Sequence, residues 1–372
     1  MSTALILSGG GARAAYQVGV LRAVLEILET TSQPRQPFDI VCGTSAGAIN
    51  AAYYVSYAHR PRHGMVRLHH VWRRLSASTV YDTTWLSVAR SLARLGAGVF
   101  RSTERIRPVS LLDNAPLERL LARWVDFAAV RANLQNGHVG NLCINAMNYS
   151  TGESVAFYDG KTVEPWHRLH RRGEQTTVNL DHVMASAAIP ILFPPRPING
   201  HYFGDGALRQ LNPLSPALHL GANRLFIIGV SSNRTNRGNS GKSIPPTIAQ
   251  MAGHLFNREF IDNLEADIEQ AEVINELLND CALYRSDQPP AHEVEFLVIT
   301  PSTPFDEMAA KYIHHQPASM RLLLRLLGAR AQGAGASFAS FLLFDGGFCQ
   351  ELSNTGYRDG RDNADAIRKF FT

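Results

Sequence analysis

The stretch Phe38-Asp39-Ile40-Val41-Cys42-Gly43-Thr44-Ser45-Ala46-Gly47 passes from a short apolar run into a long apolar helix, and its reading decides the fold. Phe38 to Cys42 reads as a strand. Ala46 to Tyr57 reads as a helix, apolar nearly all round and therefore packed against a sheet. Ser45 falls in the turn between them. Glycines at 43 and 47 let the backbone pass close by in a sharp strand-to-helix turn, which presents the serine outward. Two readings of this pentapeptide stay open on its own evidence. Ser45 is a nucleophile on an elbow, or it caps the helix that follows.

Upstream, Ala4 to Leu7 is a short apolar run that ends in Ser8-Gly9-Gly10-Gly11-Ala12-Arg13. After it, Ala14, Ala15, Val18, Leu21, Val24, Leu25 and Leu28 recur at helical spacing. Two strand-to-helix steps in succession imply a parallel, helix-covered sheet. Downstream, Arg60 to Asn136 is rich in Arg and His and poor in alternation, and reads as a helical insertion or lid. Asn141 to Asn148 and Ser154 to Tyr158 read as a strand pair joined by Tyr149 to Glu153. A helix ends in Ala185-Ser186-Ala187-Ala188-Ile189-Pro190, and Pro194, Pro195 and Pro197 carry an extended chain to Tyr202-Phe203 and the turn Gly204-Asp205-Gly206. Arg224 to Val230 is a buried-type strand, Ser231 to Ser243 a loop, Ile248 to Leu278 a long helix, and Val294 to Ile299 a late strand. Met320 to Leu327 and Ala364 to Phe371 are helices, and Gln332 to Ser340 is a Gly/Ala/Ser run. The expected fold is α/β: a mainly parallel central sheet sandwiched by helices, in a single domain over 1–372. Its core covers about 4–230 plus 290–300, with a helical insertion at about 60–136 and an α-rich C-terminal extension at about 244–372.

Composition narrows the function. Of 372 residues 45% are hydrophobic and 18% charged, which excludes a disordered chain. The net charge of +4, from 36 Lys+Arg against 32 Asp+Glu, is too mild for a dedicated nucleic-acid binder. Cysteines at 42, 143, 281 and 349 make no C-x-x-C pair and no disulfide framework. Together with an N-terminus that enters a strand directly, this predicts a cytoplasmic protein. The uncharged run Ile40 to Ala58 has strand-turn-helix register and reads as buried rather than membrane-spanning.

Three glycines between a strand and a helix place free amides at a helix N-terminus, an anion-binding arrangement. Gly9, Gly11 and Ala14 match the dinucleotide-binding pattern, but that pattern wants an acid at the end of the next strand, whereas Asp39 lies at its beginning. The other reading is an oxyanion hole for an ester carbonyl under attack. Neighbouring parallel strands would bring Gly9 to Gly11 and Ser45 into one crevice. None of the 14 histidines has a context that marks it as a base. Asp205 does, between two glycines at the end of a strand, although the tripeptide taken alone reads first as an Asp-Gly hairpin turn.

With these pieces in this order the chain resembles the patatin-like phospholipases. The residues that carry the resemblance are Gly9-Gly10-Gly11-Ala12-Arg13, Gly43 to Gly47, Ala185 to Pro190 and Asp205-Gly206-Ala207, and it covers residues 4 to about 230 well. It implies a Ser-Asp dyad without histidine, Ser45 as nucleophile and Asp205 as its direct base, with an acyl-enzyme later hydrolysed by water. It assigns Gly9, Gly10 and Gly11 to the oxyanion hole, with Arg13 holding the glycine loop or the substrate's phosphate. The implied substrate is a phospholipid or lysophospholipid ester, with peripheral membrane contact, no nucleic acid, no cofactor and no metal. A catalytically silent lipid-binding protein and a nucleotide-dependent oxidoreductase are the alternatives. An α/β-hydrolase triad is a nearer rival, but its serine elbow normally follows several strands. Cys42 reads as a buried hydrophobe rather than a nucleophile, and His69-His70 and His314-His315 lack metal-ligand spacing. Trp85 to Leu95 and Met320 to Leu327 have apolar residues at helical spacing with arginines between them, so each is an interfacial helix or an ordinary surface helix.

Overall fold

The computed structural model describes residues 2–30, 36–87, 89, 110–210, 212–230, 251, 263–280, 293–326 and 334–372. β1 (Thr3–Leu7) and β2 (Ile40–Thr44) lie side by side and parallel, with Leu5 opposite Val41. Each feeds a helix, α1 (Ala15–Glu29) after the glycine loop and α2 (Ala46–Ser56) after Ser45. β2 starts two residues later than the apolar run suggests and reaches Thr44. Asp39 explains the start: its amide donates to the Thr3 carbonyl at 2.8 Å and its carboxylate accepts from the Thr3 amide at 2.9 Å, pinning the entrance to the sheet.

The remaining strands are β3 (Asn141–Asn148), β4 (Ser154–Gly160), β5 (His167–Arg168), β6 (Arg171–Gln175), β7 (Arg196–Ile198), β8 (His201–Asp205), β9 (Arg224–Ile228) and β10 (Glu295–Ile299). The sheet runs β10-β9-β1-β2-β3-β4-β6-β5, and its first five strands are parallel. β4 reverses on β3 through the Tyr149–Glu153 turn, and β7 and β8 form a hairpin whose second strand also pairs antiparallel with β3. The short β5 and β6 have no counterpart in the sequence reading, and β7 falls in the stretch read as extended chain. Polar segments such as Arg171–Gln175 lack the alternation that marks a strand, and only tertiary pairing recruits them.

Alternate residues of the parallel strands serve opposite faces, and both faces are buried. Leu5, Leu7, Val41, Phe226 and Ile228 join the larger cluster with α1, α2 and the C-terminal helices Gly346–Asp362 and Ala364–Phe371. Ala4, Ile6, Ile40, Leu225 and Ile227 join the other, under helix Ser215–His219 and Leu264 of helix Asn263–Asp280. At about 25 cal/mol per Å² of buried apolar surface, this two-sided burial is the main stabilising term. The architecture is thus mixed α/β, a mostly parallel central sheet flanked by helices.

The described part of 60–136 carries α3 (Pro61–Trp72) and helices Ala77–Val80, Ala115–Trp124 and Phe127–Gln135, joined by irregular stretches. Residues 88 and 90–95 of the first arginine-interleaved stretch, the loop 231–243, residues 248–250 and 252–262 of the expected long helix, and Cys281 lie outside the described residues. The second stretch forms helix Ala318–Leu326, in which Met320, Leu323 and Leu324 are buried and Leu322 is exposed. No helix among the described residues is long and apolar enough to cross a membrane.

Candidate active site

Ser45 is reached by a tertiary register. β2 runs parallel to β3 and ends with Thr44 opposite Asn145, while β8 runs antiparallel to β3 and ends with Asp205 opposite Ala146. Consecutive residues of β3 therefore face the last residues of two strands that run towards each other in one lane. Their ends meet, and the Ser45 hydroxyl donates to Asp205 Oδ2 at 2.6 Å. This short O–H···O contact is typical of a hydrogen bond to a charged oxygen.

The backbone at Ser45 has φ 55 and ψ −128, a conformation that L side chains rarely adopt and that costs of order 1–3 kcal/mol. As N-cap of α2, Ser45 makes no side-chain bond to the helix, so its hydroxyl is kept for Asp205. The turn closes only because Gly47 carries no side chain; a Cβ there would collide with the carbonyl oxygen of Leu7. That same contact sets the end of β1, and hence the glycine loop, against the start of α2. Ser186 completes the support. Its hydroxyl accepts from the Ser45 amide at 2.9 Å and donates to the Asn145 carbonyl at 2.6 Å, tying the elbow to β3.

Asp205 is 1% exposed, as is Ser45. Burial raises its carboxyl from the ordinary value of 3.8 to about 7, against the opposing pull of the Ser45 hydroxyl and the Ala207 amide. A carboxylate with this affinity for protons is far better matched to removing a hydroxyl proton near neutral pH than one in water. Among the described residues no histidine bonds to Ser45 or Asp205. The ring of Tyr149 lies over Gly204 beside Asp205, and its phenol is raised by burial and then by the Asp205 charge.

Gly9, Gly10 and Gly11 leave the end of β1 and turn into a short 3-10 segment, Gly11–Ala14. Gly11 has φ +55, and a Cβ there would collide with the Phe341 carbonyl, so the helix Ala334–Leu342 backs the loop directly. Arg13 is 3% exposed and turns into this C-terminal packing. Its Nε donates to Ser340 Oγ at 2.8 Å; Nη2 donates to Asp306 Oδ1 at 2.8 Å and Ser337 Oγ at 3.0 Å; its guanidinium carbon lies 4.0 Å from the Phe341 ring centre. Burial lowers its pKa to about 10, opposed by the Asp306 charge. Of the two roles open to Arg13, this geometry is that of a loop anchor, with its donors turned to the protein rather than to a phosphate.

A crevice of about 370 Å³ opens between the glycine loop and the turn after Asp205, lined by Gly9, Thr44, Ala207, Gln210, Ile6 and Leu264 among others. Thr44 donates to Gln210 at 2.8 Å and accepts from the Asn145 side chain at 3.1 Å, giving the crevice a fixed polar floor. Sequence reasoning left Ser186, Asn145 and Gln210 without roles. Only Ser186 had a signal, its place in the Ala185–Pro190 segment. Gly43 sits under α2, where a Cβ would meet Ala48 at 2.6 Å. Cys42 is buried opposite Cys143 of β3. His69 pairs with Ser353 at 2.9 Å and His315 with Asp345 at 3.3 Å.

The arrangement can carry out acyl transfer: a hydroxyl bonded to a buried carboxylate, beside a glycine loop at a strand end. Among known proteins, a phospholipase of Vibrio cholerae named as cGAMP-activated is 27% identical over 222 residues, 58% of this chain and 56% of that protein. The chain thus spans little more than half the length of this relative. Solved structures that overlay on it include human GIVD cytosolic phospholipase A2 bound to methyl gamma-linolenyl fluorophosphonate (12% identity, TM-score 0.41, covering 100% of this chain and 59% of that one). VipD from Legionella pneumophila overlays at 13% identity and TM-score 0.35, covering 98% of this chain and 67% of that one. At these scores neither overlay carries weight. The profile of the family described as patatin-like phospholipase matches residues 5–218, more than half of the sequence, and the chain belongs to that family.

Proposed function

We propose that the protein is a lipid acylhydrolase that cleaves fatty-acyl esters of phospholipids or lysophospholipids with Ser45 as nucleophile and Asp205 as the only base. The observation that carries the reading is the 2.6 Å bond between Ser45 Oγ and an Asp205 carboxyl raised to about 7. Asp205 accepts the hydroxyl proton as Oγ bonds to the ester carbonyl carbon, and the carbonyl electrons move to oxygen. Amides of Gly9 to Gly11 stabilise that oxyanion, each donor contributing about 3 kcal/mol. Collapse breaks the bond to the alcohol, which leaves with the proton from Asp205. Water, deprotonated by the same carboxylate, then releases the fatty acid and restores Ser45.

Ser45→Ala and Asp205→Asn each abolish hydrolysis of a short p-nitrophenyl ester, and no single His→Ala change does so. Full activity in Asp205→Asn overturns the dyad. A fluorophosphonate probe labels Ser45 in an active enzyme and leaves a silent lipid-binding protein unlabelled, while mass spectrometry of a digested membrane extract identifies the ester. Because the Vibrio relative is named as cGAMP-activated, the same assays are run with and without cGAMP.

A further inference from the structure

The turns at the catalytic end of the sheet carry features that ester hydrolysis does not use. β4 begins at Ser154 opposite Met147, near the end of β3, and β6 begins at Arg171 opposite Ser154. The Leu169-His170 turn between β5 and β6 therefore lies at the same end as Ser45, beside the Tyr149–Glu153 turn. Backbone bonds join these turns to the start of β8: the Ser154 amide donates to the His170 carbonyl and the Tyr149 amide to the Tyr202 carbonyl, both at 2.9 Å. Each of the three presents an apolar body to solvent. Leu169 is 83% exposed, the most of any large hydrophobic among the described residues, with Tyr149 at 40% and Tyr202 at 46%. His170 in the left-handed region at φ 59 makes the tight turn that holds Leu169 at the apex.

Cations surround this apolar rim. Arg168 precedes Leu169 and is exposed, and Arg171, Arg172 and Arg209 line a groove of about 400 Å³ behind the hairpin together with Leu169 and Asn212. Among the described residues no carboxylate lines the groove. Glu153 engages His167 and Arg172, and Glu174 engages Arg172, so these acids are taken. Arg171 donates to Asn212, and its charge acts on Asp267 behind that side chain, whereas Arg168 and Arg209 have no carboxylate partner among the described residues. β3 extends three residues from Asn145 at the elbow to Asn148 at the rim, about 10 Å at the usual strand rise.

We infer that this rim docks on an anionic phospholipid surface. Leu169 and the two tyrosines enter the headgroup layer, where side chains with an apolar body and a polar tip are favoured, and Arg168 and Arg209 meet the phosphates. Interfacial elements sink about 5–10 Å, which matches the depth at which Ser45 lies behind the rim, so docking brings ester bonds to the elbow. The inference rests on the acylhydrolase reading but is tested apart from it.

Vesicle co-sedimentation uses the full chain carrying Ser45→Ala, so that no lipid is consumed, with phosphatidylcholine vesicles with and without phosphatidylglycerol. Binding is expected to need the anionic lipid. Adding Leu169→Asp lowers the partition coefficient about tenfold or more, and Arg168→Glu, a change of two charges, lowers it about 30-fold. In the otherwise native enzyme both substitutions leave hydrolysis of a soluble p-nitrophenyl ester unchanged, which shows that the fold is intact. Equal binding by the variants, or equal binding to neutral vesicles, overturns the rim. A parent chain that self-associates in sedimentation velocity while Leu169→Asp stays monomeric assigns the face to a second copy, and overturns it too. Absence of ester hydrolysis in the native enzyme overturns the proposed activity and leaves the binding result standing.

Discussion

The elbow at Ser45 is supported from within the stretch matched by the family profile, by Ser186, Asn145 and Asp205. The glycine loop at Gly9 to Gly11 is backed instead by Asp306, Ser337, Ser340 and Phe341, all beyond residue 218. Both are glycine-rich turns from neighbouring parallel strands into helices, and they meet at one site. The difference separates two tasks. Where Ser45 sits belongs to the shared sheet, whereas where the loop amides sit depends on the C-terminal helices. A change in those helices can therefore reach the chemistry through the loop alone, leaving the Ser45–Asp205 bond in place.

The largest effect expected lies on the elbow side. The folded protein holds the Asp205 proton up to about pH 7, while an unfolded chain releases it near the ordinary value of 3.8. Between these values the folded state binds more protons, so this group's contribution to stability is greatest below pH 4 and falls as pH rises through 7. Asp205→Asn removes the penalty: at pH 8 the variant is inactive but more stable than the parent, by up to about 4 kcal/mol for a shift of this size. The gain vanishes by about pH 4. Urea melts at both pH values check this, and an equally large gain at pH 4 refutes the buried-carboxylate account. In the same frame, kcat of the parent rises with pH through about 7 as Asp205 ionises.

On the loop side, Arg13→Gln leaves Asp306, Ser337 and Ser340 without their common partner. The expected loss in kcat is roughly a hundredfold, comparable with losing one oxyanion donor. KM for a short soluble ester stays close to the parent's, and Ser45 still reacts with a fluorophosphonate, more slowly. A rise in KM confined to phosphate-bearing substrates, with kcat intact, would instead place the guanidinium on the substrate.

These contrasts also explain what was legible in the sequence. The parallel sheet was, because Ala4 to Leu7 and Phe38 to Cys42 are apolar runs of strand length, each followed by glycines and a helical period. Gly43, Gly47, Gly204 and Gly206 mark the turns at Ser45 and Asp205. The abutment of β2 and β8 is a register against β3, and no local pattern encodes it. The partners of Arg13 were hidden for another reason. Ser337 and Ser340 belong to a Gly/Ala/Ser run without chemistry of its own, and become hydrogen-bond acceptors only when helix Ala334–Leu342 buries them against a loop more than 300 residues away. Likewise β5 and β6 are too short and polar to read as strands, so the position of Leu169 at the catalytic end could not be foreseen.

A smaller effect separates the elbow's support from its chemistry. Ser186→Ala leaves the Ser45 amide and the Asn145 carbonyl each short of a buried bond, a loss of about 1–3 kcal/mol in stability. The Ser45–Asp205 contact does not pass through Ser186, so kcat is expected to fall only about tenfold, the effect of a slightly displaced nucleophile. Ser186→Thr retains the hydroxyl and restores rate more than stability, since its extra methyl enters a fully buried site. A loss of activity as deep as that of Ser45→Ala would make Ser186 part of the chemistry.

The smallest expected effect concerns strain alone. Ser45→Ala and Ser45→Gly both remove the hydroxyl and its bond to Asp205, so on the proposed mechanism both are expected to be equally inactive. They differ in backbone: at φ 55 and ψ −128 alanine keeps the steric cost of a Cβ and glycine does not. Ser45→Gly should therefore be the more stable of the two by about 1 kcal/mol, because part of the relief is returned as extra entropy in the unfolded chain. The comparison is made by urea denaturation at pH 5, where Asp205 is largely protonated in the folded protein and the same in both variants. A matched pair of glycine and alanine variants at Gly11, which has φ +55, gives the loop's counterpart. There alanine also meets the Phe341 carbonyl, so its penalty exceeds the elbow's. If alanine at Ser45 proves as stable as glycine, the elbow carries no strain, and the outward presentation of the serine owes nothing to Gly43 and Gly47 beyond the space they leave.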